Sequence, residues 1–224
     1  LCACRLSVQT AKTLVAQALD CQKALDLHGA LLCLEQARQL EPRNPEILSL
    51  ASKQWTDHTF LVDMSRTDIV RVNQKALELA MSAQLADPRF SLAHSAECIC
   101  KGRLACFERN PTHSLPYAKA AQEAAFEALE RNELDDLAHH LIGRWNVGML
   151  GLNFIVRPIV RAVFGANHEP ASWEWAERSY KRALQLRPDR LIHKVELARV
   201  YAKTNRKGQA VSLLLVRIVL GTER

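Results

Sequence analysis

Residues 176–188 read A-E-R-S-Y-K-R-A-L-Q-L-R-P. Ala176, Tyr180 and Ala183 stand at i, i+4 and i+7, positions that share one face of an α-helix. Pro188 follows five residues later. It has no N–H to donate and holds its predecessor away from the helical region, so it ends the helix. Small side chains on the shared face let a second helix approach closely. The same spacing occurs three more times, as Ala30-Leu34-Ala37-Pro42, Ala76-Ala80-Ala83-Pro88 and Ala121-Ala125-Ala128-Glu133.

This spacing is that of the second helix of a tetratricopeptide repeat, A-x3-F-x2-A-x4-P. The first helix of such a unit carries a large residue, a small residue and an aromatic. After Pro188 these are Leu197, Ala198 and Tyr201, and Ala210 then stands 34 residues beyond Ala176. After Pro42 the same offsets hold Ala51, Ser52 and Trp55, and after Glu133 they hold Ile142 and Gly143, with Trp145 nearby. After Pro88 the fit is looser, through Leu92, Ala96 and Leu104. The other spacings are longer: 46 residues from Ala30 to Ala76, 45 to Ala121 and 55 to Ala176. Middle units with stretched helices or long connections follow from this.

The reading is therefore an all-α, tetratricopeptide-like right-handed superhelix of antiparallel helix pairs, with lengthened middle units. One domain over 1–224 is expected, with units near 8–42, 45–88, 90–133, 135–188 and 190–220. Periodicity predicts helices over 8–26, 28–40, 45–57, 67–86, 90–107, 114–131, 135–149, 155–164, 171–186, 190–204 and 207–220.

Composition agrees with helix: 8 Gly, 8 Pro and 48% hydrophobic residues. Seven cysteines, an odd number without a Cys-x-x-Cys pair, point to a reducing compartment rather than a disulfide framework. The triplet Asn110-Pro111-Thr112 has proline in its centre and is no glycosylation acceptor. The expected location is the cytoplasm or the cytosolic face of an organelle, the mitochondrion included. The chain begins at Leu1, from which a trimmed piece of a longer protein is expected. Charge is uneven. From Leu137 onward there are 15 lysines and arginines against 6 acidic residues, a net +9, and the first 136 residues carry −3. A basic C-terminal part suits an acidic protein tail or an anionic phospholipid. Aromatic residues among these cations are too sparse for base stacking, so no nucleic acid is expected.

No phosphate loop, His-Glu-x-x-His or Gly-x-Ser-x-Gly motif is present, so neither catalysis nor a cofactor or metal is expected. His139 and His140 project about 100° apart on a helix and read as packing or surface residues. Cys98 and Cys100 read as small core residues. The stretch 147–164, V-G-M-L-G-L-N-F-I-V-R-P-I-V-R-A-V-F, is strongly apolar. Pro158 with Arg157 and Arg161 argues against a membrane span. The stretch is expected to be a buried connecting helix, or the apolar wall of a groove with cationic rims. The candidate groove comprises Arg144, Trp145, Leu152, Phe154, Arg157, Arg161 and Trp173. Trp173 and Trp175 alternate at the start of their helix, so one packs inward while the other faces a groove or solvent.

The stretch from about Thr67 to Leu220, and His139 to Leu220 best, resembles the regulator of microtubule dynamics family. The likeness is carried by H-H-L-I-G-R-W, the run ending R-A-V-F-G, the Ala176 helix, R-P-D and L-A-R-V-Y-A-K; L-A-D-P-R-F-S-L-A-H-S-A around Pro88 is similar too. The resemblance implies a non-enzymatic helical domain. It also implies association with microtubules and with contacts between mitochondria and endoplasmic reticulum; the repeat and the +9 C-terminal part make acidic tubulin tails the expected contact. It further implies phospholipid binding or transfer in a concave groove, which the apolar run would line. Asn167-His168-Glu169-Pro170 departs from the Pro-rich loop that the resemblance leads one to expect there. A co-chaperone-type adaptor is a further alternative, but the Lys, Asn and Arg set that grips a terminal carboxylate is not found at matching offsets.

Overall fold

A computed structural model describes residues 10–152, 162–163 and 170–220. Among these residues there are ten α-helices and no strand. They are α1 (Ala11–Lys23), α2 (Leu27–Leu40), α3 (Pro45–Leu61), α4 (Arg66–Ala86) and α5 (Ser91–Phe107), then α6 (Pro111–Arg131), α7 (Asp136–Leu150), α8 (Trp173–Leu186), α9 (Leu191–Lys203) and α10 (Lys207–Leu220). The helix expected over 155–164 lies almost wholly outside the described residues.

The alanine pattern sets the register of every second helix. Ala30, Ala176 and Ala210 are each the fourth residue of α2, α8 and α10. Ala76 and Ala121 are each the eleventh residue of α4 and α6. All five helices end ten residues after that alanine, at Leu40, Ala86, Arg131, Leu186 and Leu220. The long middle spacings are thus mainly helix. α4 and α6 carry seven extra residues at their N-termini, about two turns. In the fourth unit the excess lies between the end of α7 at Leu150 and the start of α8 at Trp173, mostly outside the described residues.

Helix starts follow local chemistry. Thr10 and Thr13 form a reciprocal capping box at α1. Asn44 caps α3 with Pro45 in the first helical position, and Asp26, Ser65, Asp135 and Ser172 cap α2, α4, α7 and α8. The tight turns after α1 and α9 each use one left-handed residue, Leu25 and Asn205, both at φ 61°. Asparagine tolerates that conformation and leucine does not, so the first turn carries strain that the second avoids.

Two compact units divide the chain, Leu1–Ser114 and Leu115–Arg224. In the first, α1 packs on α2, α3 on α4, and each second helix meets the next first helix. Leu14, Val15, Ala18, Leu34, Ala37, Ile47 and Ala51 form its main core, and Leu48, Ala83 and Ala93 a second cluster. The approach of α3 to α4 is close enough for the Ser52 hydroxyl to donate 2.7 Å to the backbone carbonyl of Ala76. In the second unit α7 packs on α8, α9 on both α8 and α10, and Ala176, Tyr180, Leu197 and Val200 form the core. All twelve helix-face residues of the four pattern copies are buried, none more than 4% exposed. Cys98 and Cys100 are buried as well, as expected of small core residues.

Candidate functional site

The second unit holds an open cleft of about 720 Å³. Phe126 and Leu129 of α6, Ile142 and His139 of α7, and Trp175 of α8 form its floor and sides. Phe126 and Trp175 lie with ring centroids 6.1 Å apart, and Trp145 backs Trp175 at 6.5 Å. The outer face of α8 supplies the rim: Arg178, Lys181, Arg182 and Gln185 recur every three or four residues, with Glu174 and Glu177 among them.

The rim charges are not equivalent. Glu177 bonds Arg206 at 2.6 Å and Lys181 at 2.7 Å. These cations, Arg206 foremost, hold its carboxyl below the usual range and neutralise it. Arg178 and Arg182 are exposed and take no ion pair among the described residues. Glu174 is their one remaining acidic neighbour on the rim. The cleft therefore offers two uncommitted guanidinium groups beside an aromatic floor. Guanidinium suits carboxylate through paired, planar hydrogen bonds.

A second polar feature joins α7 to α9. Asp136, His140 and Arg144 stand at i, i+4 and i+8 on α7, facing Arg190, His193, Glu196 and Arg199. His193 is wholly buried, and its Nε2 donates 2.8 Å to Asp136 Oδ2, which also accepts from Arg190 at 2.7 Å. The other His193 nitrogen, Nδ1, lies 3.0 Å from His140 Nδ1. Glu196 is buried and accepts from Arg199 at 2.5 Å and from Arg144 at 3.5 Å. Burial, then the charges of His193, Arg144 and Arg190, hold His140 well below an ordinary histidine.

Tyr180 closes this seam from α8. Its ring is fully buried, meets His140 edge-on at 5.2 Å, and lies against the backbone of Gly143. A Cβ on Gly143 would come within 2.8 Å of the ring, so only glycine permits this approach of α7 to α8.

The residues proposed from the sequence are dispersed. Arg144 is exposed at the end of the seam and pairs with Glu196. Trp145 is half-buried behind the cleft, Leu152 is half-buried just past α7, and Trp173 packs on the Tyr180 core. Phe154, Arg157 and Arg161 lie outside the described residues. Of the two alternating tryptophans, Trp173 turns inward and Trp175 faces the cleft. His139 lines the cleft, with its ring 3.0 Å from the Glu133 carbonyl, and His140 enters the buried seam. Sequence reasoning missed Phe126, Arg178, Arg182 and the Asp136–His193 pair as a set. The available signal was polar residues at helical spacing on α7 and α9, the first helices of adjacent units.

Comparison with known proteins gives two kinds of match. A family profile described as Regulator of microtubule dynamics protein 1-3 covers residues 8–218. Among solved structures, the chain is similar to TTC0263, a thermophilic tetratricopeptide protein of Thermus thermophilus. The TM-score is 0.64 at 18% identity, with 91% of this chain and 88% of that one covered. It is also similar to pilF of Pseudomonas aeruginosa, with a TM-score of 0.50 at 12% identity over 91% of this chain and 74% of that one. These structures share the fold. No curated protein matches. Among the described residues no helix is long and apolar enough to cross a membrane.

Proposed function

The chain belongs to the regulator of microtubule dynamics protein family, and on that premise we propose that it is a non-enzymatic protein-interaction scaffold that docks an acidic segment of a partner. The docking place is the α6–α8 cleft of the second unit. One observation carries this reading: Arg178 and Arg182 stand exposed and uncommitted beside Phe126 and Trp175. An acidic peptide with an apolar or aromatic residue would place its carboxylates on the two guanidinium groups and its apolar side chain on the rings. Trp and Arg are the side chains that most often dominate such contacts. The excess of +9 over residues 137–224 would draw an anionic segment toward this part of the chain.

The family supports acidic tubulin tails as the natural candidate. A phospholipid role would rest on residues 147–164, most of which lie outside the described residues.

The test is co-sedimentation of the purified chain with microtubules at about 0.05 M and about 0.3 M salt. Exposed charges more than a few ångströms apart are progressively screened over that range. Binding at low salt that falls several-fold at high salt is the expected result. Failure to bind at low salt, or binding indifferent to salt, would contradict the reading.

A further inference from the structure

The seam between α7 and α9 concentrates more buried ionisable groups than a packing contact requires, and their connectivity restricts how many protons it holds. Two imidazole nitrogens 3.0 Å apart share one proton, one ring donating and the other accepting. On its other side His193 donates its Nε2 proton to Asp136. Among the described residues, His140 has no hydrogen bond or ion pair to a carboxylate. Around it are His193 and Arg190 from α9, Arg144 from its own helix, and the edge of Tyr180 from α8, with Glu196 already held between Arg144 and Arg199.

We propose that this seam is an acid-sensitive latch: with one proton shared between His140 and His193 it holds α9 to α7, and protonation of both rings opens it. With both rings charged, two N–H groups face each other in place of a hydrogen bond, and a second positive charge is buried among Arg144, Arg190 and Arg199. Neither state can be relieved by solvent, since His193 is fully buried and His140 is 4% exposed. Only separation of the helices hydrates the second charge. The direction of His140 agrees, since burial already disfavours its charged form. A histidine held below its unfolded value of about 6.5 binds fewer protons in the folded chain than in the unfolded one. Its contribution is complete above about pH 6.5 and is lost as pH falls from there toward the folded value. This inference concerns the seam and does not depend on what the cleft binds.

The experiment follows amide hydrogen exchange in the full chain at pH 7.5 and 5.5, corrected for intrinsic exchange, with the imidazole resonances followed by NMR. Protection of α7 and α9 amides is expected to fall about tenfold or more on acidification, while α3 amides in the first unit keep theirs. His140→Asn retains a hydrogen-bonding group near the Nδ1 position and removes the titration, so its seam should lose less than threefold. The proposal is overturned if the variant and the unsubstituted chain lose protection equally, or if α3 and α9 lose it in parallel. If His140→Asn does not fold, the NMR titration of the unsubstituted chain decides alone. An apparent His140 pKa well below 6.5 supports the latch, and one at or above 6.5 overturns it.

Discussion

Replacing Tyr180 by alanine is expected to destabilise the chain by about 3–5 kcal/mol in chemical denaturation, the range for large buried aromatics. The side chain is fully buried and is the largest of those below 2% exposure. It touches α7 at Gly143 and His140, and packs with Leu197 and Val200 of α9. The cavity left would lie where three helices meet, and a glycine on one wall has no side chain to move into it. Tyr180→Phe separates packing from polarity. The hydroxyl is buried without a hydrogen-bond partner among the described residues, and burial pushes its ionisation far upward. Phenylalanine, the usual residue at this place in the repeat, should therefore leave stability unchanged or raise it by about 1 kcal/mol. A loss above about 2 kcal/mol in Tyr180→Phe would mean that the hydroxyl has a partner holding the unit together.

The converse change is expected in the first unit. Ala80 occupies in α4 the place that Tyr180 occupies in α8, and it too is fully buried. Ala80→Leu should destabilise by about 1–3 kcal/mol by overpacking, although leucine is almost as good a helix former as alanine. The Ser52 hydroxyl reaching the Ala76 carbonyl shows how little room remains between α3 and α4. Adding side-chain volume one turn along the same helix must push those helices apart or force strained rotamers. Equilibrium denaturation of the variant measures this directly. A neutral or stabilising Ala80→Leu would show that small residues at this position are not what sets the spacing.

These two changes explain why so much of the fold was readable. The i, i+4, i+7 spacing of small residues registers the helices against one another, so Ala37, Ala83, Ala128 and Ala183 located the contacts, and Pro42, Pro88 and Pro188 located the ends of three of the four helices. The length of α4 and α6 was ambiguous in the sequence, because a spacing of 45 or 46 residues fits longer helices as well as longer loops. Periodicity nevertheless placed helices over 67–86 and 114–131, close to the observed Arg66–Ala86 and Pro111–Arg131. Ser65, capping α4 through the Asp68 amide, is the local cue that this helix starts there.

The site was less legible. Arg178 and Arg182 looked like any solvated helix face, because spacing does not show that the nearby Glu177 is taken by Lys181 and by Arg206, 29 residues away. His140 read as ordinary because its partner His193 lies 53 residues off and on a different helix. Spacing within one helix shows which residues share a face. It does not show what the facing helix presents. The apolar run from 147 onward was conspicuous in the sequence and placed the candidate groove, yet most of it lies outside the described residues.

Docking of an acidic segment in the cleft is best tested by a fluorescence-anisotropy titration of a labelled Glu-rich peptide, with one aromatic residue, into the full chain at low salt. The chain would be compared with its Arg178→Glu, Arg182→Glu double variant. Both positions are exposed, so circular dichroism and unfolding midpoints should be unchanged. Affinity is expected to fall about tenfold or more, a difference of about 1.4 kcal/mol. Equal affinity for the peptide in a folded double variant would rule out these two arginines as the docking site.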